Sequence, residues 1–138
     1  MNCRKTAARR GASAVEMALV APVFLTLVLG IIESSRLGMV AQLLSTAARE
    51  GCRVAVIQNS TQADVQNRVE AVLGGSGISV GTVTPTCTGA TSWTSAPAGT
   101  PITVSLSVPY SAVSWLPVPY FLKTANVSSS ATMSSERP

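Results

Sequence analysis

Histidine is absent from this chain, and only 12% of its residues are charged. The lack of histidine excludes a Ser-His-Asp triad, and the three cysteines have neither the Cys-x-x-Cys nor the Cys/His spacing of a zinc site. No Gly-x-x-x-x-Gly-Lys loop is present to hold a nucleotide phosphate. We therefore expect that the protein is not an enzyme and binds neither a metal nor a cofactor.

The net charge of +4 would ordinarily suggest a nucleic-acid partner. The position of the charge argues against one, because four cations near the N-terminus account for the whole excess: Arg4, Lys5, Arg9 and Arg10. The rest of the chain carries equal numbers of basic and acidic residues. We therefore expect no nucleic-acid partner and attribute the basic cluster to membrane topology.

An uncharged apolar run follows the basic cluster, from Met17 to Ile32. A helix over residues 12–34 would be long enough to cross the ~30 Å hydrocarbon core of a lipid bilayer. By the positive-inside rule, the cations hold the N-terminus in the cytoplasm and the rest of the chain lies outside. We predict a cytoplasmic leader at residues 1–11, a transmembrane segment at 12–34 and an extracytoplasmic head at 35–138.

Two residues before the apolar run are unusual for a plain membrane anchor. Glu16 places a carboxylate directly before the apolar run, although an acid costs roughly 2.5 kcal/mol or more at the centre of a membrane helix. Gly11 lies five positions before it. Cleavage after Gly11 would leave an amine on Ala12, one helical turn from Glu16, and the two charges could then pair. Inside the run, Pro22 removes one backbone hydrogen bond and predicts a kink or a helix that opens locally.

Four short segments between Arg10 and Arg53 carry a family resemblance. They are Gly11-Ala-Ser-Ala-Val-Glu16, Ala18-Leu-Val-Ala-Pro22, Gly30-Ile-Ile-Glu33 and Ala47-Ala-Arg-Glu-Gly51. Together they resemble the TadE-like minor pilins, or pseudopilins, of the tight-adherence (Tad/Flp) pilus system.

The resemblance implies that a prepilin peptidase cuts between Gly11 and Ala12, and that Glu16 serves assembly with other pilin or pseudopilin subunits. It also implies an assembly platform in the inner membrane as a partner, and a role in pilus biogenesis and surface adhesion. The alternative is an uncleaved single-pass protein with an extracytoplasmic binding domain, which leaves the positions of Gly11 and Glu16 unexplained. A secretory signal peptide would need a small-residue cleavage site after the run, and no clean site follows Ile32.

The predicted fold class is α+β and type IV pilin-like, with a long N-terminal helix, a short second helix and a small antiparallel sheet. An apolar stripe continues the first helix to about residue 57. Thr61 and Asp64 have capping-box spacing and Gly74 supplies a stop, which predicts the second helix over residues 62–73.

The sheet is expected within residues 78–134. Residues 102–108 alternate cleanly between apolar and polar side chains and predict a strand. Weaker patterns predict strands at residues 78–83 and 127–133, with a turn-rich loop from Pro85 to Pro101.

Two further features of the head leave alternatives open. Cys3 lies in the leader, so Cys52 and Cys87 would be the pair left in an oxidising compartment, either as a disulfide or as two unpaired thiols. A proline-broken apolar loop follows with Trp115, Tyr120 and Phe121. This loop is either a cover over a small core or a contact with another subunit, an adhesion target or the bilayer surface.

Overall fold

The computed structural model describes residues 4–115 and 124–137, with side chains from residue 11 onward. In chain order, the elements are helices α1 (Arg4–Ala55) and α2 (Gln62–Leu73) and strands β1 (Thr86–Cys87), β2 (Pro101–Pro109) and β3 (Asn126–Ser134). Short 3-10 turns occupy Trp93–Ser95 and Tyr110–Ala112. The predicted α+β class is confirmed.

Helix α1 begins at Arg4, eight residues before the start expected from the sequence. The physical reason is local, because the leader is rich in Ala, Arg and Lys, which favour the helix, and contains no proline. Pro22 lies inside the helix, which remains continuous through it. Thr26 Oγ1 donates to the Pro22 carbonyl oxygen at 2.7 Å. A kink at Pro22 stays a prediction.

The chain divides into two compact units, Met1–Ser35 and Arg36–Pro138. The second unit, which we call the head, contains a hydrophobic core built from the second half of α1, from α2 and from one face of the sheet. Buried α1 residues recur at intervals of three and four, as the apolar stripe predicted; they include Val40, Leu44, Ala47, Ala48, Cys52 and Ala55.

Helix α2 begins at a complete capping box. Thr61 Oγ1 accepts from the Asp64 N–H at 3.3 Å, and the Asp64 carboxylate accepts from the Thr61 N–H at 2.8 Å. The helix buries Val65, Val69 and Leu73. It crosses α1 closely at Gly51, where an added Cβ would lie only 2.7 Å from Val69 Cγ2. Gly51 therefore permits the close approach of the two helices.

The sheet is antiparallel, with strand order β1-β2-β3. The long β2–β3 pair runs in register from Pro101 opposite Ser134 to Pro109 opposite Asn126. Strand β2 turns Ile102, Val104, Leu106 and Val108 into the core. Its other side carries hydroxyl groups, and Thr103 Oγ1 lies 2.8 Å from Thr132 Oγ1 across the strands.

The strand predicted at residues 78–83 is wrong, since the first strand is the two-residue β1. Val83 is buried, but side chains of α2 satisfy its backbone. The Val83 N–H donates to Gln66 Oε1 at 2.8 Å, and Gln62 Nε2 donates to the Val83 carbonyl oxygen at 3.2 Å. The glutamine side chains thus supply the hydrogen bonds that a neighbouring β-strand would otherwise give to this buried backbone.

Candidate functional site

The exposed surface of α1 near Gly11 is the first candidate site. Gly11 is exposed within the helix, and a Cβ added there would meet no described atom within 4 Å beyond the adjacent helix backbone. Helical packing within the described part of the chain therefore gives no reason for glycine at this position, in contrast to Gly51. Glycine also weakens a helix interior by roughly 1 kcal/mol relative to alanine.

Glu16 is exposed on the same helix. Its carboxylate forms no salt bridge within residues 11–115 and 124–137. Ala12 precedes it by four positions, a separation that brings two helical residues onto the same face, one turn apart. A positive charge created at Ala12 would therefore lie within reach of the Glu16 carboxylate.

The first half of α1 presents large apolar side chains to its surroundings. They include Val15, Leu19, Val23, Phe24, Leu27 and Ile31. The segment Gly11–Ala55 contains a window of mean hydropathy 2.4 with no buried residue, and it is long and apolar enough to cross a membrane. Apolar exposure on this scale requires a lipid or protein environment.

Both cysteines of the head are free thiols. Cys52 is buried, and its Sγ lies 3.3 Å from the carbonyl oxygen of Ile102. Cys87 is half-buried and stands opposite Ile102 in the register of β1 and β2. The two cysteines therefore share Ile102 as a neighbour, and a disulfide between them stays a prediction. Burial raises the pKa of the Cys52 thiol.

The apolar loop falls partly within the described residues. Trp115 is 72% exposed, so at this position the loop does not cover the core. Tyr120 and Phe121, the other two residues predicted to form an interface, lie outside the described residues.

Arg36 has a role that its neighbours in the sequence do not predict. Its guanidinium carbon lies 4.4 Å from the centre of the Trp115 ring, and its Nε donates to the carbonyl oxygen of Val113 at 2.5 Å. The only sequence signal was an arginine soon after a long apolar run. The partners are 77 and 79 positions away in the chain, and only the fold brings them together.

A second such residue is Arg137, which is buried. Its guanidinium donates to the carbonyl oxygens of Ala55, Ile57 and Trp93 and to Ser60 Oγ. The guanidinium also stacks near the Trp93 ring. These bonds hold the C-terminal segment against the end of α1. The role of Arg137 is therefore structural, because its guanidinium is bonded to groups within the head.

Part of the chain, including the candidate site near Gly11, matches a known protein family. The family described as TadE-like protein matches residues 11–53, so the matched segment begins at Gly11 and contains Glu16 and Pro22. No curated protein and no solved structure matches the chain. No group of three or more histidine, cysteine or acidic side chains suited to a metal ion occurs among the described residues. Residues 11–53 of this chain are thus similar to the TadE-like family, which confirms the resemblance seen in its sequence.

Proposed function

We propose that this chain is a minor pilin or pseudopilin of a Tad-type pilus, anchored in the inner membrane and processed by a prepilin peptidase. The observation that carries the proposal is the exposed segment from Gly11 to Glu16, at the start of the family match. Among the side chains that the structure describes, from residue 11 onward, neither Gly11 nor Glu16 has a packing or salt-bridge partner. Both are therefore available to other proteins.

The processing step is hydrolysis of the amide between Gly11 and Ala12. Water supplies a hydroxyl group to the Gly11 carbonyl carbon and a proton to the Ala12 nitrogen, so a carboxylate leaves with the leader and an amine begins the mature chain. A peptidase must open the helix to reach this amide. Glycine lowers the cost of opening, and the empty space around its Cα lets the enzyme approach closely.

Assembly would then use the charge pair. The Ala12 ammonium and the Glu16 carboxylate are each costly in a medium of low dielectric constant, and pairing lowers the cost for both. Pairing within or between subunits also sets the axial register, because a displaced subunit would leave both charges without partners. The exposed apolar side chains of α1 would bury against lipid before assembly and against other pilin subunits afterwards.

The basic leader supports an orientation with the N-terminus in the cytoplasm and the head on the outer side of the inner membrane. The chain would pass from the bilayer through an assembly platform into or onto an extracellular pilus. The chain carries a folded head in addition to its anchor helix. This extra domain supports a role as a minor component in pilus biogenesis and surface adhesion. This role requires no catalysis by the chain itself.

Intact-mass measurement of the membrane-extracted protein tests the processing step. With the prepilin peptidase of the same host present, we expect a chain that starts at Ala12, with or without a methyl group on the new amine. The Gly11→Leu variant should keep its leader. Gly30→Leu is a matched control, since Gly30 is a helical glycine with equally open surroundings, and it should be cleaved.

A wild-type chain that keeps residues 1–11, while the same peptidase processes another pilin in the same cells, would contradict the proposal. That result would favour the alternative of an uncleaved single-pass protein with an extracytoplasmic binding domain.

Replacement of Glu16 tests assembly separately from cleavage. Glu16→Gln should insert into the membrane and lose its leader, yet fail to cross-link to pilus components. Glu70→Gln, at an exposed acid of α2, serves as the control and should cross-link normally. Normal pilus assembly by the Glu16 variant would remove the assembly role of this carboxylate.

A further inference from the structure

Arg36, which contacts Trp115, lies just after the apolar run that is suited to a membrane. Arg36 follows Ile32, the end of the apolar run, by four residues, which is about 6 Å of helix. Its guanidinium lies against the Trp115 ring, and its Nε holds the Val113 carbonyl. The fold thus fixes an exposed indole beside the first arginine of the head.

These two side chains have the chemistry of the membrane–water interface. Tryptophan is enriched at the level of the lipid headgroups, because its ring is apolar and its N–H is polar. Arginine keeps its apolar stem along the hydrocarbon boundary and directs its charge toward phosphate groups. A guanidinium over the indole face adds a cation–π attraction that is stronger where water is scarce.

We propose that Arg36 and Trp115 together form a lipid-binding contact that seats the head on the outer phospholipid surface of the membrane crossed by α1. The Trp115 indole enters the boundary between headgroups and acyl chains, and the Arg36 guanidinium lies beside a lipid phosphate. The occupant is phospholipid because Arg36 follows the end of the apolar run by only four positions in the chain, and the indole that it contacts is exposed. The contact holds the head to the bilayer until a subunit leaves the membrane.

This inference rests on the membrane-anchor part of the proposed function and is independent of leader cleavage and of the pairing of Glu16. Loss of lipid contact at Trp115 in a protein that is still processed at Gly11 would overturn the inference alone. An unprocessed protein with lipid contact at Trp115 would overturn the processing step alone.

Tryptophan quenching by brominated phospholipid is a direct test, since the chain contains two tryptophans in different environments. Trp115 is 72% exposed and Trp93 is only 8% exposed. The full-length chain would be reconstituted in vesicles of phosphatidylcholine and phosphatidylglycerol, with bromine either near the headgroup end or near the methyl end of the acyl chains. We expect bromine near the headgroup end to remove about half of the emission, since one of the two tryptophans contacts lipid.

Two variants assign the signal. Trp115→Phe should lose nearly all of the quenching, because the remaining Trp93 is shielded by the head core. Arg36→Gln should weaken quenching from the headgroup end because the indole loses its support on α1. Arg49→Gln is its matched control, since Arg49 is an exposed arginine of the same helix that bonds Ser45, and it should be quenched like the wild type.

Equal quenching in the wild type and in Trp115→Phe would overturn the inference. Absence of quenching in the wild type would also overturn it. If a cross-linker placed at position 115 then joined two copies of the chain, a second copy, and not lipid, would cover the indole.

Discussion

The guanidinium of Arg137 lies 2.7 Å from the carbonyl oxygen of Ala55, the last residue of α1. The two residues are 82 positions apart in the chain. The last carbonyls of a helix have no partner within the helix, and a cation there also complements the negative end of the helix dipole. Arg137 therefore closes the end of α1 with a side chain from the other end of the head.

The first prediction concerns this closure. Arg137→Gln should lower the free energy of unfolding of the head by about 2 to 4 kcal/mol, because several buried carbonyl oxygens lose a charged donor. Chemical unfolding of the detergent-solubilised protein, followed by near-ultraviolet circular dichroism, measures the change. Arg53→Gln, at an exposed arginine, is the control and should change stability little. Equal stability of the two variants would contradict the closing role of Arg137.

The second prediction concerns the crossing of α1 and α2. Gly51→Ala should destabilise the head by about 1 kcal/mol, since the new Cβ meets Val69 Cγ2 and overpacking outweighs the gain in helix propensity. Gly38→Ala is the matched control on the same helix. Its Cβ would meet nothing within 4 Å, so it should be neutral or stabilising by up to about 1 kcal/mol.

A double-mutant cycle checks the cause of the Gly51 effect. Val69→Ala should cost less stability in the Gly51→Ala background than in the wild type, because it then also relieves the crowding. Additive effects of the two substitutions would show that the crowding is not between these side chains.

The third prediction is that the stability of the head depends on pH through the ion pair between Glu50 of α1 and Arg68 of α2. Arg68 donates to Glu50 Oε2 at 2.7 Å, and this hydrogen bond holds the pKa of the Glu50 carboxyl below its ordinary value of 4.5. A carboxyl with a lowered pKa in the folded state stabilises the fold above its unfolded pKa, and the contribution is lost as the pH falls through the folded value. Stability should therefore decline below about pH 4.5.

Thermal unfolding of Arg68→Gln at several pH values checks this cause. The variant should be less stable than the wild type near neutral pH, and the difference should narrow in acid as Glu50 becomes protonated in both proteins. Arg49→Gln is the control and should follow the wild-type profile, because Arg49 donates to Ser45 Oγ and not to Glu50. A constant difference between Arg68→Gln and the wild type at every pH would mean that the Glu50 carboxylate is not the group responsible.

The fourth prediction concerns the two cysteines of the head. Burial raises the pKa of Cys52 and restricts access to it, whereas Cys87 is half-buried. In the reduced, folded Cys3→Ser protein, iodoacetamide should modify Cys87 at least about ten times faster than Cys52. Peptide mass spectrometry over time separates the two rates, and denatured protein, in which they should converge, is the control. Equal rates in the folded protein would contradict the burial of Cys52.

The same labelling tests the predicted disulfide. In protein taken from an oxidising compartment without reductant, a Cys52–Cys87 bond would leave neither thiol reactive until reductant is added. Immediate labelling of Cys87 in such protein would show that the pair is unbridged.

Features governed by neighbouring residues were predictable. The capping box at Thr61 and Asp64 identified the start of α2, because its hydrogen bonds join groups three residues apart. Alternation identified β2, since one side of the strand faces the core. The pattern failed at residues 78–83 because the glutamines that bond Val83 belong to a different element, and no local period encodes them.

The sequence by itself determined the apolar N-terminal helix, the basic leader, the family segment with Gly11 and Glu16, and the α+β class. These properties follow from composition and short-range spacing, which are fixed before the chain folds. Only the tertiary structure decided that Arg137 closes α1, that Gly51 admits α2 and that Arg36 supports Trp115. Each of these contacts joins residues far apart in the chain, and folding brings such residues together through burial of the shared core.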